Sequence, residues 1–196
     1  MVKKTGKLSL IDYQQKVVDS KDKQVVLRWA RRTGKDTIIS KLAKKGDIVI
    51  HFSIMAARQA GAIDMDGKDK SGVYHITENQ LNHFLGIKPK RVFLNEPAFF
   101  VDLLYVLSFI KRSLKPESIY LVGTPNLTND ILSSGFIFDA ICARLEMHNL
   151  EGIYYSLIKY EDSPYSNEQL VKDIKHNAPY KIINEEILAA YNEEDS

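Results

Sequence analysis

The sequence predicts an α/β fold with a mainly parallel central sheet flanked by helices. Three observations support this prediction. Short apolar runs typical of buried strands recur along the chain, segments with helical periodicity separate them, and glycine, proline and polar residues mark the junctions. The chain has 196 residues, of which 44% are hydrophobic, which suits one domain with a substantial core. We therefore expect residues 1–196 to form a single domain.

The elements of the first half follow from these patterns in order. Residues 8–20 carry apolar side chains at helical spacing, and residues 25–30 form an apolar run of strand length. Residues 35–45 place apolar residues on one face and lysines on the other, which predicts a helix, and a glycine follows as a stop signal. Residues 47–52 are mostly β-branched or aromatic and predict a second strand. Residues 61–72 are rich in Gly, Asp and Lys and predict an exposed loop.

The second half continues the alternation of strands and helices. We predict a short helix over 77–85, a third strand over 91–94, and a long helix over 99–114 that ends at a Lys-Pro pair. A fourth strand covers 118–123. Apolar runs predict further strands at 137–147 and 153–160, and the tail is predicted to carry helices near 166–176 and 181–191.

Composition excludes several classes of protein. The net charge is +2 with a pI of about 8.5, so the chain as a whole gives no strong case for nucleic-acid binding. Cys142 is the single cysteine, which excludes an intramolecular disulfide, fits a reducing compartment and is expected in the core. No apolar stretch reaches membrane-spanning length, and the amino terminus lacks the apolar segment of a signal peptide. We expect a soluble intracellular protein.

The junction after the first strand has the order of parts of a phosphate-binding site: a strand end, a basic turn with Gly34-Lys35, and a helix start. Lys35 would reach the β- and γ-phosphates, and the N–H groups of Thr33 to Thr37 would surround them. The pattern departs from G-x-x-x-x-G-K-[S/T], because Trp29 stands at the first Gly position and Asp36 at the Ser/Thr position. The alternative is an ordinary strand-turn-helix with a solvated basic turn.

Two other strand ends carry polar residues. Asn95-Glu96 after the third strand is similar to a Walker B element, in which one carboxylate holds Mg²⁺ and the next polarises the attacking water. Glu96 is thus a candidate general base. Asn95 is a neutral amide, so we hypothesise that Asp36 supplies the missing charge and shares the Mg²⁺ with it. Thr124, in a Gly-Thr-Pro turn after the fourth strand, would sense the γ-phosphate or the water. Ligands bind at the carboxyl ends of parallel strands, so these ends should lie side by side.

A fourth motif precedes the first strand. Gln14 carries an amide that can pair with both the donor and the acceptor on an adenine edge, and Tyr13 carries a ring that can stack on it. The alternative for both residues is an ordinary helix surface.

The order Tyr-Gln, Arg-Arg-x-Gly-Lys-Asp, apolar-Asn-Glu and apolar-Gly-Thr-Pro resembles the ATPase domain of tailed-phage terminase large subunits, the motors that package DNA into procapsids. The resemblance covers nearly the whole chain and implies a P-loop NTPase fold of the ASCE (additional-strand, catalytic-glutamate) type. It implies that Arg31 contacts the γ-phosphate or acts across a subunit boundary, that Glu96 is the catalytic carboxylate and that Thr124 couples hydrolysis to motion. The nucleotide-binding set that it implies is Tyr13, Gln14, Arg32, Thr33, Gly34, Lys35, Asp36 and Thr37, with Asp36 and Asn95 toward Mg²⁺.

The resemblance also implies an activity and partners. We expect an Mg²⁺-dependent ATPase that uses ATP to translocate double-stranded DNA into a procapsid, in the cytoplasm of the infected host cell. The partners would be DNA, the portal or procapsid, a small terminase subunit or nuclease domain, and other copies in a ring, with a monomer in isolation and no membrane. Residues 165–196 resemble the approach to a linker. Full-length relatives continue into a nuclease, which this sequence does not reach, so we expect no DNA cleavage.

Two other functions stay open. Asn95 and the missing Ser/Thr allow a nucleotide-binding module with weak or no hydrolysis. The same motifs also suit another P-loop ATPase acting on nucleic acid, such as a helicase-like protein. If the chain works in a ring, a basic residue can act on a neighbour's site, and the sequence does not choose between Lys111, Arg112 and Arg144 for that role.

Overall fold

The computed structural model describes residues 10–61, 67–126, 130–164 and 166. Their centre is a six-stranded sheet in which all pairings between neighbouring strands are parallel. The strands lie in the order β3-β2-β4-β5-β1-β6. Their bounds are β1 Gln24–Trp29, β2 Ile48–His51, β3 Tyr74–Thr77, β4 Arg91–Asn95, β5 Ser118–Gly123 and β6 Ile153–Ile158.

Helical segments connect the strands. The α-helices are α1 Asp12–Asp19, α2 Lys35–Leu42, α3 Ile54–Gln59, α4 Leu103–Phe109 and α5 Ser134–Met147. The chain continues from α4 into a π-helical turn, Ile110–Leu114, and forms short 3₁₀ helices at Glu78–Phe84, Pro97–Phe99 and Tyr160–Asp162. Within the described residues, no helix has both the length and the apolar composition needed to cross a membrane.

Two hydrophobic cores cover the two faces of the sheet. On one face, buried side chains of α1 and α2, such as Val17 and Ile38, pack with β-strand residues such as Leu27 and Phe93. On the other face, α4 and α5 pack with the alternate residues of the same strands, and Cys142 lies buried in this second core as expected. Successive side chains of each strand point to opposite faces of the sheet, and both faces are buried. This is why these strands appear in the sequence as continuous apolar runs.

The order of strands places three strand ends next to each other. β5 lies between β1 and β4, so the carboxyl ends that lead to the Gly34-Lys35 turn, to Thr124 and to Glu96 are neighbours. This confirms the expected juxtaposition. It also confirms the predicted fold class, since an added strand between the phosphate-loop strand and the glutamate strand is what the ASCE type requires.

The prediction of a strand over 137–147 is wrong, because this segment lies within helix α5. The Ser133 side chain accepts a hydrogen bond from the Phe136 N–H and caps the helix start. The buried residues Phe138, Cys142 and Leu145 recur at helical spacing of three and four, a period that the run of apolar residues masked. Helix α5 therefore covers the second core instead of extending the sheet.

Other boundaries differ from the prediction. The predicted long helix over 99–114 is divided into a 3₁₀ turn, α4 and a π-helical turn, and the short helix over 77–85 is of the 3₁₀ type. Helix α3 and strand β3 were not predicted. Residues 67–72 form a loop as expected. The predicted tail helices over 166–176 and 181–191 lie outside the described residues except for residue 166, which is in neither a helix nor a strand.

Candidate functional site

The turn between β1 and α2 is tightly constrained by its glycine. Gly34 is the N-cap of α2 and has φ 87° and ψ 31°, in the left-handed region that favours glycine. A Cβ on this residue would overlap the amide of Gln14, which packs beneath it. The neighbouring Arg32 also has a positive φ, 58°. A backbone held in such rare conformations is typical of ligand-binding turns.

Lys35 is the centre of the site and is buried. Its Nζ donates to the carbonyl oxygens of Trp29 at 3.1 Å and Ala30 at 3.0 Å, and to Thr124 Oγ1 at 2.7 Å. The same Nζ lies 3.3 Å from Glu96 Oε1. The structure therefore brings the loop lysine, the strand-end glutamate and the predicted coupling threonine into one cluster.

Glu96 is held in a conformation that suits this cluster. It has φ 58° and ψ 57°, and its Oε2 accepts a hydrogen bond from the Thr124 N–H at 2.7 Å. Gly123 makes the approach possible, because a Cβ there would lie 2.8 Å from Pro97 Cδ and 3.4 Å from Glu96 Oε2. The end of β5 and the turn after β4 are thus in close contact across the site.

Asp36 and Asn95 are in contact, and their sharing of a cation stays a prediction. Asn95 Nδ2 donates to Asp36 Oδ1 at 3.3 Å. Asn95 is 9% exposed, and its Oδ1 has no hydrogen-bond partner among the described residues. A carboxylate and an amide oxygen without a partner fit Mg²⁺, which takes oxygen ligands and is commonly held by one or two protein groups together with phosphates and water. No group of three or more His, Cys, Asp or Glu that could hold a metal occurs in the described part of the chain.

The turn between β1 and α2 is stabilised by hydrogen bonds that involve Tyr13, Gln14 and Thr33. The Tyr13 hydroxyl donates to the Thr33 carbonyl at 2.8 Å, and its ring packs edge-on against Trp29 with centroids 5.0 Å apart. Gln14 is 2% exposed; its Nε2 lies 3.5 Å from the Thr33 carbonyl and its Oε1 accepts from the Ile11 N–H. The Thr33 hydroxyl donates to the Ala30 carbonyl. Recognition of adenine by Tyr13 and Gln14 stays a prediction. In the structure, both residues contact the Thr33 carbonyl and so stabilise the turn.

A cleft of about 680 Å³ opens beside the cluster, within the range of ordinary ligand sites. Most of the predicted residues line it. Two aromatic residues that the sequence did not single out, Phe52 and Phe99, also line it, with ring centroids 5.7 Å apart. Each follows a strand at the same edge of the sheet, which was the signal available in the sequence. The lining residues are Arg31, Arg32, Gly34, Lys35, Asp36, Thr37, Phe52, Glu96, Phe99 and Thr124.

The basic residues considered for a neighbour's site lie elsewhere. Lys111 and Arg144 line an apolar groove beside the first residues of β1 and β6, at the opposite end of the strands from the cleft. Arg112 is exposed on the π-helical turn after α4. In this chain's own cleft the guanidinium groups are those of Arg31 and Arg32.

The sheet order, the turn with Gly34-Lys35 and the glutamate at the end of β4 define the fold of a P-loop NTPase. Among solved structures, the ATPase domain of the large terminase of Thermus phage P74-26 is similar, with a TM-score of 0.66 and 12% identity over 93% of this chain and 94% of that one. The large terminase of a second thermophilic bacteriophage, in complex with ADP, is also similar, with a TM-score of 0.62 and 12% identity over 91% of this chain.

The chain thus has the fold of a phage large terminase ATPase domain, as predicted. It spans 52% of the second phage's large terminase and nearly all of the P74-26 domain. That second large terminase is also known in complex with ATP-gamma-S, with a TM-score of 0.60 to this chain. No family model matches the sequence, and no curated protein matches it. At 12% identity the likeness concerns the fold.

Proposed function

We propose that this chain is an Mg²⁺-dependent ATPase and that it serves as a DNA-packaging motor domain. The observation that supports the proposal most is the meeting of Lys35, Glu96 and Thr124 at one wall of a cleft of nucleotide size. The three residues come from three different strand ends. Their convergence supplies a phosphate-binding cation, a carboxylate to orient water, and a hydroxyl that connects the two.

Binding of ATP would require Lys35 to exchange partners. Its Nζ carries three protons and has four oxygen neighbours in the structure, so a phosphate would replace the weaker contacts, of which the one to Glu96 is the longest at 3.3 Å. This exchange would free Glu96 Oε1 from the ammonium and make it available to an attacking water, with the Thr124 hydroxyl at 3.4 Å as its remaining donor, while the Thr124 N–H retains Oε2. Arg31 and Arg32, in the cleft lining, would contact the phosphates. Asp36 and Asn95 would hold Mg²⁺, which when bound neutralises charge on the β- and γ-phosphates.

The activity is tested by phosphate release from ATP with and without Mg²⁺, in the wild type and in Glu96→Gln. We expect Mg²⁺-dependent release that falls by roughly 10²–10⁴ in the variant, the usual contribution of a positioned general base. The Glu96 carboxylate competes with phosphate for the Lys35 ammonium, so ATP affinity should stay the same or rise when its charge is removed. Glu78→Gln is the control, since Glu78 caps the backbone at Val101 and Asp102 away from the cleft lining. Equal rates in all three proteins would refute the assignment.

The motor role rests on the fold shared with terminase ATPase domains. The proposed partners are double-stranded DNA, a portal or procapsid, and a small terminase subunit or nuclease domain. We also propose that identical subunits assemble into a ring. The test is ATPase stimulation: procapsids with their portal should raise the rate, whereas single-stranded DNA alone should not. Stimulation by single-stranded DNA alone would instead support a helicase-like ATPase.

One observation favours a second function, a nucleotide-binding module with little hydrolysis. Both oxygens of Glu96 face protein donors: Oε1 faces the Lys35 ammonium and the Thr124 hydroxyl, and Oε2 faces the Thr124 N–H. If these contacts persist with nucleotide bound, the carboxylate is not available to a water. ADP and ATP would then bind with Mg²⁺ while phosphate release would stay at background in both the wild type and Glu96→Gln.

A further inference from the structure

A line of polar side chains leads from the candidate cation site into the sheet. His51 Nδ1 lies 3.4 Å from Asn95 Nδ2, and His51 Nε2 lies 3.0 Å from His75 Nδ1. His75 Nε2 lies 3.2 Å from Asp69 Oδ2. The two histidines are 1% and 7% exposed. Asn95, His51 and His75 belong to the adjacent strands β4, β2 and β3, so the line crosses the edge of the sheet from the cleft to the loop at Asp69.

When both rings are neutral, the donors and acceptors along this line fit in one direction. Asn95 Nδ2 can only donate, so His51 Nδ1 accepts, and a neutral imidazole that accepts at Nδ1 carries its proton on Nε2. That proton is donated to His75 Nδ1, and the Nε2 proton of His75 is donated to the Asp69 carboxylate. Every contact then pairs a donor with an acceptor while both rings are neutral.

The outer end of the line is fixed by the loop. The second oxygen of Asp69, Oδ1, accepts from the Ser71 N–H at 2.8 Å, from the Ser71 hydroxyl at 2.7 Å and from the Val73 N–H at 3.0 Å. Its other oxygen is therefore presented to His75 in a defined position. In terms of hydrogen bonding, the line is anchored at the loop and ends at Asn95.

The inner end decides which way the Asn95 amide faces. Its Nδ2 lies against Asp36 Oδ1, a carboxylate oxygen that accepts. Turning the amide over would place its oxygen against this carboxylate, which is unfavourable, and with the observed orientation His51 Nδ1 is the second acceptor. The observed orientation leaves Oδ1 as the buried atom without a partner among the described residues.

We propose that His51 is a positioning residue for the cation of the bound nucleotide: with His75 and Asp69 behind it, it holds the Asn95 amide so that Nδ2 orients the Asp36 carboxylate, an oxygen ligand in the lining of the cleft. The inference rests on the proposed nucleotide function of the cleft. Groups that orient metal ligands through hydrogen bonds typically change metal affinity by 10–100-fold when they are removed. A purely structural polar pair would have no effect on the cation.

The test is the Mg²⁺ dependence of ADP binding, measured by titration calorimetry at a series of Mg²⁺ concentrations. In His51→Leu the Mg²⁺ concentration at half effect should rise about 10- to 100-fold, while ADP binding without Mg²⁺ stays within about twofold. His51→Gln, which can still accept from Asn95 and donate onward, should recover most of the loss. Ile50→Val, fully buried on the same strand, is the control, since it shortens an apolar side chain outside the polar line and should leave the Mg²⁺ requirement within about twofold of the wild type.

The outcomes separate the two proposals. If the wild type binds ADP with a Mg²⁺ requirement that His51→Leu leaves unchanged, the positioning role is refuted and the proposed function stands. If the wild type binds no ADP with or without Mg²⁺, the proposed function fails and this inference fails with it. Should His51→Leu not fold, Asp69→Ala breaks the line at its partly exposed end and should shift the Mg²⁺ requirement in the same direction. Long-range ¹H–¹⁵N spectra of the wild type must show both rings protonated on Nε2, and an Nδ1–H form of either contradicts the proposal.

Discussion

Acidification between pH 7 and pH 5 should destabilise this protein through His51. The pKa of this ring is lowered from 6.5 to about 3 by burial and, secondarily, by His75. Because the folded-state pKa lies below the unfolded one, the unfolded chain binds the proton first. The stability tied to a neutral His51 is therefore complete above pH 6.5 and is lost as the pH falls toward 3.

The size of the effect follows from the two pKa values. Each pH unit below the unfolded pKa costs about 1.4 kcal/mol, so about 2 kcal/mol is lost between pH 7 and pH 5. Within that interval the folded ring stays neutral, and only the unfolded chain titrates. Carboxyl groups with ordinary pKa values near 4 contribute little above pH 5. A loss of about 2 kcal/mol is a sizeable fraction of the usual stability of a domain.

Urea unfolding at pH 7 and at pH 5 measures this loss. The wild type should lose about 2 kcal/mol more than His51→Gln, whose side chain does not titrate. His83→Gln, which removes an exposed histidine, should keep the wild-type loss and serves as the control. If His51→Gln and the wild type lose the same free energy between the two pH values, the fold does not lower the pKa of His51.

Three further predictions concern the cleft. Lys35→Ala should abolish ATP binding in a calorimetric titration and also lower the free energy of unfolding by about 1–3 kcal/mol, because it removes the ammonium donor from the buried carbonyl oxygens of Trp29 and Ala30, of which the Ala30 oxygen keeps the Thr33 hydroxyl; unchanged ATP affinity would refute the phosphate site. Gly123→Ala should cost about 1–3 kcal/mol in urea unfolding, since its Cβ would press on Pro97 at 2.8 Å, and no cost would contradict the packing of β5 against the Glu96 turn. The isolated chain should be monomeric with weak ATPase activity that rises with protein concentration or with portal-bound procapsid, because a neighbour's arginine can contribute about 10³–10⁵ in rate; high activity that is flat down to nanomolar protein would favour Arg31 or Arg32 acting in cis.

Much of the candidate site could be predicted because strand ends are visible in a sequence. Apolar runs of strand length predicted β1, β4 and β5, and each was followed by the polar residues that meet in the structure, Lys35, Glu96 and Thr124. Parallel strands put such residues at one edge of a sheet regardless of the details of packing. The contact between Asp36 and Asn95 was predictable for the same reason, since it joins two of these ends.

The surroundings of the site were less visible. The period of α5 was masked because five of the six residues in 137–142 are apolar, and a run with a single polar residue, Asp139, does not reveal whether it repeats every two residues or every three to four. Strand β3 has only four residues, Tyr74–Thr77, and two of them are polar. It forms because β2 offers it a partner, with His51 opposite Thr77, which is tertiary information that local propensity does not contain.

The same limit explains why the structural contacts of Tyr13 and Gln14 and the position of His51 were not predicted; the adenine role of Tyr13 and Gln14 stays a prediction. A side chain's partners depend on which elements pack against it, and Gln14 packs under Gly34, where its amide is occupied by backbone groups. His51 looked like one more residue of an apolar strand, yet the register of β2 with β4 sets it opposite Asn95, and β3 brings His75 to its other nitrogen. A neutral histidine between Asn95 and His75 can orient the Asn95 amide. The residues at the strand ends, seen in the sequence alone, do not reveal this contact. Asn95, which departs from the Walker B pattern, is therefore a residue whose amide has hydrogen-bond partners on two neighbouring elements, Asp36 and His51.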